Sequence, residues 1–413
     1  MDVTPGIRRD PEPDLAAVGQ DDELVERIRA EIEHDGPISF ARFMDLALYD
    51  PQGGYYRSVA ARPGREGDFL TAPEAHPIFG AALARAVADA WDRLGRPEPF
   101  VLREYGAGTG ALAVAILDGL ARERADLTRV LRYEPIEVEP GRLETIAERL
   151  AAAGHAAAFA SPTSTIAEPI TGMVLANEVL DALPTHRVVA RSGGLREFAV
   201  GWEDGAFVDV ETDPSTPALS ERLADERVTL TEGQRAEICL ALDTWIARVA
   251  AGLERGVVLL IDYGYPAEAL YDPVRRRDGT LRVYLRHRVH NDPYVHVGRQ
   301  DLTAHVDVTA VERAAAAAGL AHLGTTTQAE FLVGLGTEGL LQAIQADPAT
   351  TLEDYVGVRS ALLRLLDPAA MGRFRVMAFG RGLPAGATLA GLDYRLRPAT
   401  RTDRTEPHLT PPE

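Results

Sequence analysis

In the stretch VLREYGAGTGALAVAIL, Glu104 is followed by three glycines, Gly106, Gly108 and Gly110, at every second position. Glycines at that spacing let a chain turn tightly and let a ligand approach its backbone, while the N–H groups that open the next helix are free to receive a polar group. Together they make a nucleotide cradle. The same letters satisfy G-x-G-x-x-A through Gly106, Gly108 and Ala111, so the turn alone leaves a nicotinamide oxidoreductase and other adenosine-cofactor enzymes both open. Further on, RYEPIEVEP carries Glu137 between Glu134 and Glu139. A carboxylate at a strand end accepts two hydrogen bonds from the vicinal hydroxyls of a ribose, and Glu137 is placed for that role, with its neighbours as rivals. A third group, MVLANEVLDALP, crowds Asn177, Glu178 and Asp181 after another apolar run. Amide and carboxylate groups at the carboxyl edge of an open sheet face the crevice where cofactor and acceptor meet. Glu178 and Asp181 are three apart, which on a helical turn would put both on one side. The plainer alternative is that Asn177 caps a helix whose first turn favours acids.

Those groups need strands that end together. Short β-rich runs at 100–104, 132–137, 173–176 and 257–262, with helical patterns at 111–122 and 142–152 between the earlier ones, predict βαβ units and a parallel sheet, an α/β fold. Between the third and fourth runs, HRVVARSGGLREFAVGWEDGAFVDVE has turn signals at 192–194 and 203–205 and predicts a three-stranded meander, followed by a helix over 231–253. DELVERIRAEIEHDG places Leu24, Ile28 and Ile32 on one helical face and stops at Gly36 and Pro37. The region after Tyr265 is loop-rich and basic in RRRDGTLRVYLRHRVH, then helical over 309–318. The chain divides into a disordered tail (1–20), a helix-rich region covering the cofactor site (21–95), the first part of the core (96–189), the inserted meander and helix (190–256), the rest of the core with an acceptor-side helical part (257–385), and a mostly disordered tail (386–413).

Composition narrows the class. The 413 residues, 46% hydrophobic and 25% charged, can build a sizeable globular core. The net charge of -19, from 43 basic and 62 acidic residues, repels nucleic acid and welcomes a basic partner. No apolar run reaches the ~20 residues of a membrane helix. The first twenty residues have no apolar h-region, so the expectation is a protein that stays where it is made, in the cytoplasm. Cys239 is the single cysteine and reads as a small buried hydrophobe in a reducing compartment. His287, His290, His296 and His305 fit no compact zinc spacing, so no metal is expected; His305 with Asp301 and Asp307 could line an acceptor cleft or cap a helix.

The blocks LYDPQGGYY, GDFLTAPE, EYGAGTG, NEVLDALP, IDYGY, GTLRVYLRH, QDLTAHVD and TTQAEFLVGLG resemble the MidA family, which includes the mitochondrial complex I assembly-factor methyltransferases, over roughly 38–382. The resemblance implies a Rossmann-like class I methyltransferase sheet of seven mostly parallel strands, with an added helix-rich domain and the meander insertion. It implies S-adenosyl-L-methionine as cofactor, held by Glu104, Gly106, Gly108, Gly110 and Glu137 with Asp68 and Thr71 of GDFLTAPE. It also implies a protein partner bearing an accessible arginine, a respiratory complex I subunit among the candidates, although a non-catalytic assembly factor on the same fold is an alternative. Asp50, Ala72 and Glu139 depart from the family pattern, where His, Ser and often Ser stand. The segment AAAFASPTSTIAEP offers no acid at a strand end to read the adenine amino group. An arginine acceptor sets its own requirement: a guanidinium with a pKa above ~12 has no free lone pair, so carboxylates must grip it and receive a proton. Glu178 is the first choice for that grip, Asp181 the second, with Asn177 beside them.

Overall fold

The computed structural model describes residues 18–57, 76–160, 168–286, 288–384 and 386–396. Its centre is a sheet of β1 (Phe100–Tyr105), β2 (Leu131–Ile136), β3 (Ile170–Asn177), β8 (Leu253–Asp262), β12 (Ala321–Thr327) and β13 (Arg375–Arg381), in the order β12-β13-β8-β3-β1-β2. The first four run parallel, and β13 is antiparallel to both β8 and β12. Beyond β2, a seventh position is marked by a single parallel bridge between Tyr133 and Phe159, just before residues 161–167, which lie outside the described set. Strands buried on both faces need apolar residues on both, and FVLREY and GVVLLID meet that need. Leu102, Met173, Leu175 and Leu259 pack on one face, while Val174, Val258 and Leu260 pack on the other.

Register decides where chemistry can occur. Tyr105 pairs with Ile136 and with Ala176, and Asn177 pairs with Ile261, so β1, β2, β3 and β8 all end at one edge. One face is covered by α3 (Ile78–Arg93) and α4 (Ala111–Glu123), whose backbones approach closely: a Cβ on Gly80 would fall 2.4 Å from the Cβ of Ala115. On the other lie helices Ala241–Ala251 and Val308–Ala317, whose Ile246, Val249, Val311 and Ala315 are buried.

The insertion is a second sheet, of β4 (His186–Arg191), β5 (Gly194–Glu203) and β6 (Ala206–Thr212) as an antiparallel meander, extended by β7 (Arg235–Ile238) beside β4. The helix expected over 231–253 is thus a strand followed by a shorter helix. The strand's residues alternate polar and apolar, Arg235, Ala236, Glu237, Ile238, a short period-two pattern that the longer helical one masked. Near the N-terminus, α1 (Asp22–Asp35) and α2 (Phe40–Tyr49) bury Leu24, Ile28, Phe40 and Phe43 against Val200 and Phe207 of the meander. A third, small sheet of β9 (Arg282–Leu285), β10 (Arg288–His290) and β11 (Asp301–Thr303) closes the same end. Of the C-terminal stretch expected to be mostly disordered, 386–396 is described, and its Leu389 and Leu392 are fully buried in the main core.

Candidate functional site

At the carboxyl edge of the sheet lies a cleft of about 330 Å3, lined by the glycine turn after β1, the end of β2, the turn after β3 and the tyrosines that follow α2. Gly106, Gly108 and Gly110 have φ of 67°, 58° and 75°, the left-handed region that side chains disfavour, which is why this turn is spelled with glycine. A Cβ on Gly106 would sit 2.7 Å from the Val179 side chain, so the turn also relies on close contact with the segment after β3.

Glu104 and Glu137 both line this cleft. Burial pushes the Glu104 carboxyl up to about 8, against the opposing effect of a Tyr133 hydroxyl that donates to it at 2.6 Å. Glu137 accepts the Gly108 N–H and faces Arg142 at 3.4 Å; burial raises its pKa, and these two donors pull it back. Its rivals are engaged elsewhere. Glu134 is paired with the buried Arg103 at 2.7 Å, and Glu139 accepts the Gly141 N–H at the start of the next helix.

The turn after β3 does not form the helical start that its spelling suggests. Glu178 is at φ 53°, a left-handed conformation for a non-glycine residue, and its N–H donates to Ile261 O at 2.8 Å. Asn177 Nδ2 donates to Glu178 Oε1 at 3.0 Å, while Asn177 Oδ1 is buried with no partner among the described residues. Asp181 falls in a one-turn helix, Leu180–Ala182, and does not line the cleft with Glu178. It accepts the Tyr263 hydroxyl and borders a water-sized cavity of about 20 Å3 behind the turn. The expectation that Glu178 and Asp181 share one side of a helical turn therefore fails, because the left-handed residue breaks the helical spacing. Burial raises the Asp181 carboxyl to about 6.

Asp262, at the end of β8, is fully buried and was not singled out from the sequence. Its Oδ2 accepts the N–H groups of Val179 at 3.1 Å and Leu180 at 2.8 Å, and its Oδ1 that of Tyr263 at 2.8 Å. Burial, with Asp181 and Glu178 nearby, pushes its pKa up, and the N–H donors oppose this. The sequence signals it only as the acid that closes an apolar strand and as part of the IDYGY block.

Aromatic residues form the outer wall. Tyr49 and Tyr56 stack with centroids 5.5 Å apart; Tyr49 donates to Ala182 O at 2.9 Å and Tyr56 to Asp301 Oδ1 at 2.8 Å. Asp50, one of the departures from the family pattern, accepts the N–H groups of Gln52 and Gly53 and pairs with Arg27 at 2.7 Å, shaping the turn that delivers these rings. The trio proposed for an acceptor cleft separates: Asp301 serves Tyr56, Asp307 caps helix Val308–Ala317, and His305 packs against Tyr263 and Tyr265 beside the small rear cavity. Burial, with Arg276, Arg282 and Arg373, lowers His305 to about 3, which keeps it neutral. Asp68, Thr71 and Ala72 lie outside the described residues, as does His287.

The cleft passes a test of fit for an adenosyl cofactor. Three left-handed glycines expose backbone, Glu137 stands at the end of the second strand, and the unpartnered Asn177 Oδ1 is an acceptor waiting for a donor.

Residues 82–326 match the family described as "Putative S-adenosyl-L-methionine-dependent methyltransferase". The chain is 35% identical to a COG1565 superfamily member from Burkholderia thailandensis whose crystal structure holds S-adenosyl-homocysteine; the match covers 93% of this chain and 97% of that one, with a TM-score of 0.84. It is 30% identical to the mitochondrial protein arginine methyltransferase NDUFAF7 homolog of Drosophila melanogaster over 92% of this chain and 89% of the relative. The human mitochondrial protein arginine methyltransferase NDUFAF7 is 27% identical over 86% of this chain and 82% of its own length. These findings retire the nicotinamide reading. They also overturn the expectation of a cytoplasmic protein, because the curated relatives are mitochondrial. A lone, partly buried thiol is compatible with any reducing compartment, so the composition carried no address. Among the described residues no helix is long and apolar enough to cross a membrane.

Proposed function

The chain belongs to the S-adenosylmethionine-dependent methyltransferase family of these relatives, and from that premise we propose that it methylates an arginine side chain on a partner protein. S-adenosylmethionine, when bound, supplies a methyl group activated by a positively charged sulfur. The family and the geometry together favour Gly106, Gly108, Gly110, Glu104 and Glu137 as its holders. The observation that carries the acceptor reading is the gathering of Glu178, Asp181 and Asp262 at the sheet edge that also bears the glycine turn. A cluster of acids at this edge suits a cationic acceptor. In our reading Glu178 accepts hydrogen bonds from the guanidinium, holds one nitrogen at near-attack distance and takes the proton that leaves as the N–C bond forms. Asp262 and Asp181 act through the backbone: they fix the turn on which Glu178 sits. The named activity of the fruit-fly and human relatives supports arginine as the acceptor, and a respiratory complex I subunit is a partner that the family resemblance puts forward.

The test is methylation of lysate proteins by the purified chain with deuteromethyl-labelled cofactor, read by mass spectrometry. Labelled methyl groups on arginine of one or few proteins are the expected result. Label on lysine, or on a small molecule alone, overturns the reading.

A further inference from the structure

One surface runs against the charge of the molecule. Beside the meander lies a groove of about 500 Å3 whose lining includes Arg187, Arg235, Arg275, Arg277 and Arg282, in a chain of net charge -19. Arg187 is paired with Asp209 at 2.6 Å. The other four have no carboxylate within ion-pair distance among the described residues. Arg277 donates to the carbonyl of Glu232, Arg282 to that of Leu281, and Arg235 lies over the Phe198 ring at 5.0 Å, which fixes its guanidinium without neutralising it. Of the two acids in the lining, Glu237 is engaged by the Thr280 hydroxyl at 2.9 Å, and Asp278 faces the arginines alone. Four arginines without an ion-pair partner on one concave surface repel one another, and an anionic group seated among them relieves that repulsion.

Strand β9 carries one of the groove's arginines and, two residues on, a tyrosine close to the acids of the sheet edge. Arg282 and Tyr284 are alternate residues of β9, so they share a face about 7 Å apart. Tyr284 lies near Asp181, Asp301 and Glu178, the last of which lines the cleft: burial, then Asp181 and Asp301, raise its phenol to about 12. A peptide that places its arginine beside Glu178 in the cleft and extends past β9 would meet the groove's arginines.

We propose that this groove is a recognition site for acidic side chains of the acceptor protein, roughly two to five residues from the arginine placed in the cleft. The inference rests on the arginine reading above and deepens it: the substrate segment carries an arginine and a cluster of Asp or Glu close by. The opposite signs of the two sites give the peptide a direction.

The test uses fluorescein-labelled peptides bound to the full chain in saturating S-adenosylhomocysteine, read by anisotropy. One peptide carries arginine with a flanking Asp-Glu pair, a second has Asn-Gln in place of the acids, and a third keeps the acids with arginine replaced by alanine. The acidic arginine peptide is expected to bind about five- to tenfold tighter than its neutral counterpart at low ionic strength, with the gap narrowing at higher salt. Arg235→Glu/Arg275→Glu should erase the preference, and should favour a third flank of Lys-Lys, while S-adenosylhomocysteine affinity stays unchanged. Arg235→Gln/Arg275→Gln serves should the reversed variant fold poorly. Equal binding of acidic and neutral peptides, or an acidic preference that survives these substitutions, overturns the groove. Binding of the alanine peptide as tight as that of the acidic arginine peptide supports the groove while counting against the arginine reading, so the two failures are separable.

Discussion

Replacing Glu178 by glycine should separate a catalytic carboxylate from a structural one. At φ 53° the residue sits where a side chain costs roughly 1–2 kcal/mol, and glycine avoids that strain. Glycine also adds about 0.5–1 kcal/mol of unfolded-chain entropy, and the Asn177 hydrogen bond of 3.0 Å, worth about 1 kcal/mol, is lost. Removing a carboxylate beside Asp262 and Asp181 offsets part of this. The sum lies within about 1 kcal/mol of zero, a shift in melting midpoint of roughly 2 °C or less for a chain of this size. Methyl transfer should nevertheless fall by about a hundred- to ten-thousand-fold in single-turnover assays, and Glu178→Gln, which keeps the shape and loses the charge, should fall comparably while S-adenosylmethionine affinity measured by calorimetry is nearly unchanged. A midpoint lowered by many degrees in the glycine variant would make Glu178 a structural residue. Unaltered turnover in either variant would refute the proton-accepting role.

S-adenosylhomocysteine at a hundred times its dissociation constant should stabilise the protein by about 2.7 kcal/mol, and Gly108→Val, which forces a side chain onto a φ of 58°, should abolish that shift in thermal melts; an equal response in both proteins would misplace the cradle. Glu137→Ala should weaken cofactor binding roughly ten- to a hundredfold in calorimetry, because it removes both a strand-end acceptor and the partner of the Gly108 N–H, and unchanged affinity would sink the ribose assignment. The folded protein holds the Glu104 proton up to about 8, whereas a free glutamate releases it near 4.5. The folded state therefore binds more protons across that window, and this contribution to stability is complete below pH 4.5 and lost as pH rises towards 8. Glu104→Gln keeps an acceptor for Tyr133 and should flatten the fall of the melting midpoint over the same range; an identical slope in the variant would contradict the buried acid.

The sheet was legible because parallel strands buried on both faces announce themselves as apolar runs, and the glycine turn because positive φ is cheap only for glycine. Glu137 could be placed from its strand end alone. The turn after β3 misled, since letters that spell a helix start, Asn177-Glu178, are held in another conformation by Asp262, a residue eighty-odd positions away whose role no local pattern reveals. Tyr49 and Tyr56 likewise owe their places to tertiary contacts, with Ala182 and Asp301. The strand Arg235–Ile238 was lost inside a helical pattern because its four residues are too few for period-two alternation to dominate.

Backbone strain persists only where neighbours over-determine it. Glu178 is fixed from both sides: its own N–H is bound to Ile261 O, and the next two N–H groups are bound to the Asp262 carboxylate. The end of β8 thus clamps the turn after β3, and does so with a charge that is itself unfavourable beside Asp181 and Glu178. An amide or hydroxyl could have accepted one of those N–H groups without adding to the repulsion. What a carboxyl contributes here is a second acceptor oxygen: Oδ1 takes the Tyr263 N–H while Oδ2 takes those of Val179 and Leu180. Glu178 is the acid that this clamp leaves lining the cleft, and the groove bearing Arg235, Arg275, Arg277 and Arg282 carries the opposite sign, so on the proposed reading an acceptor bearing one charge type alone would be matched at only one of the two sites.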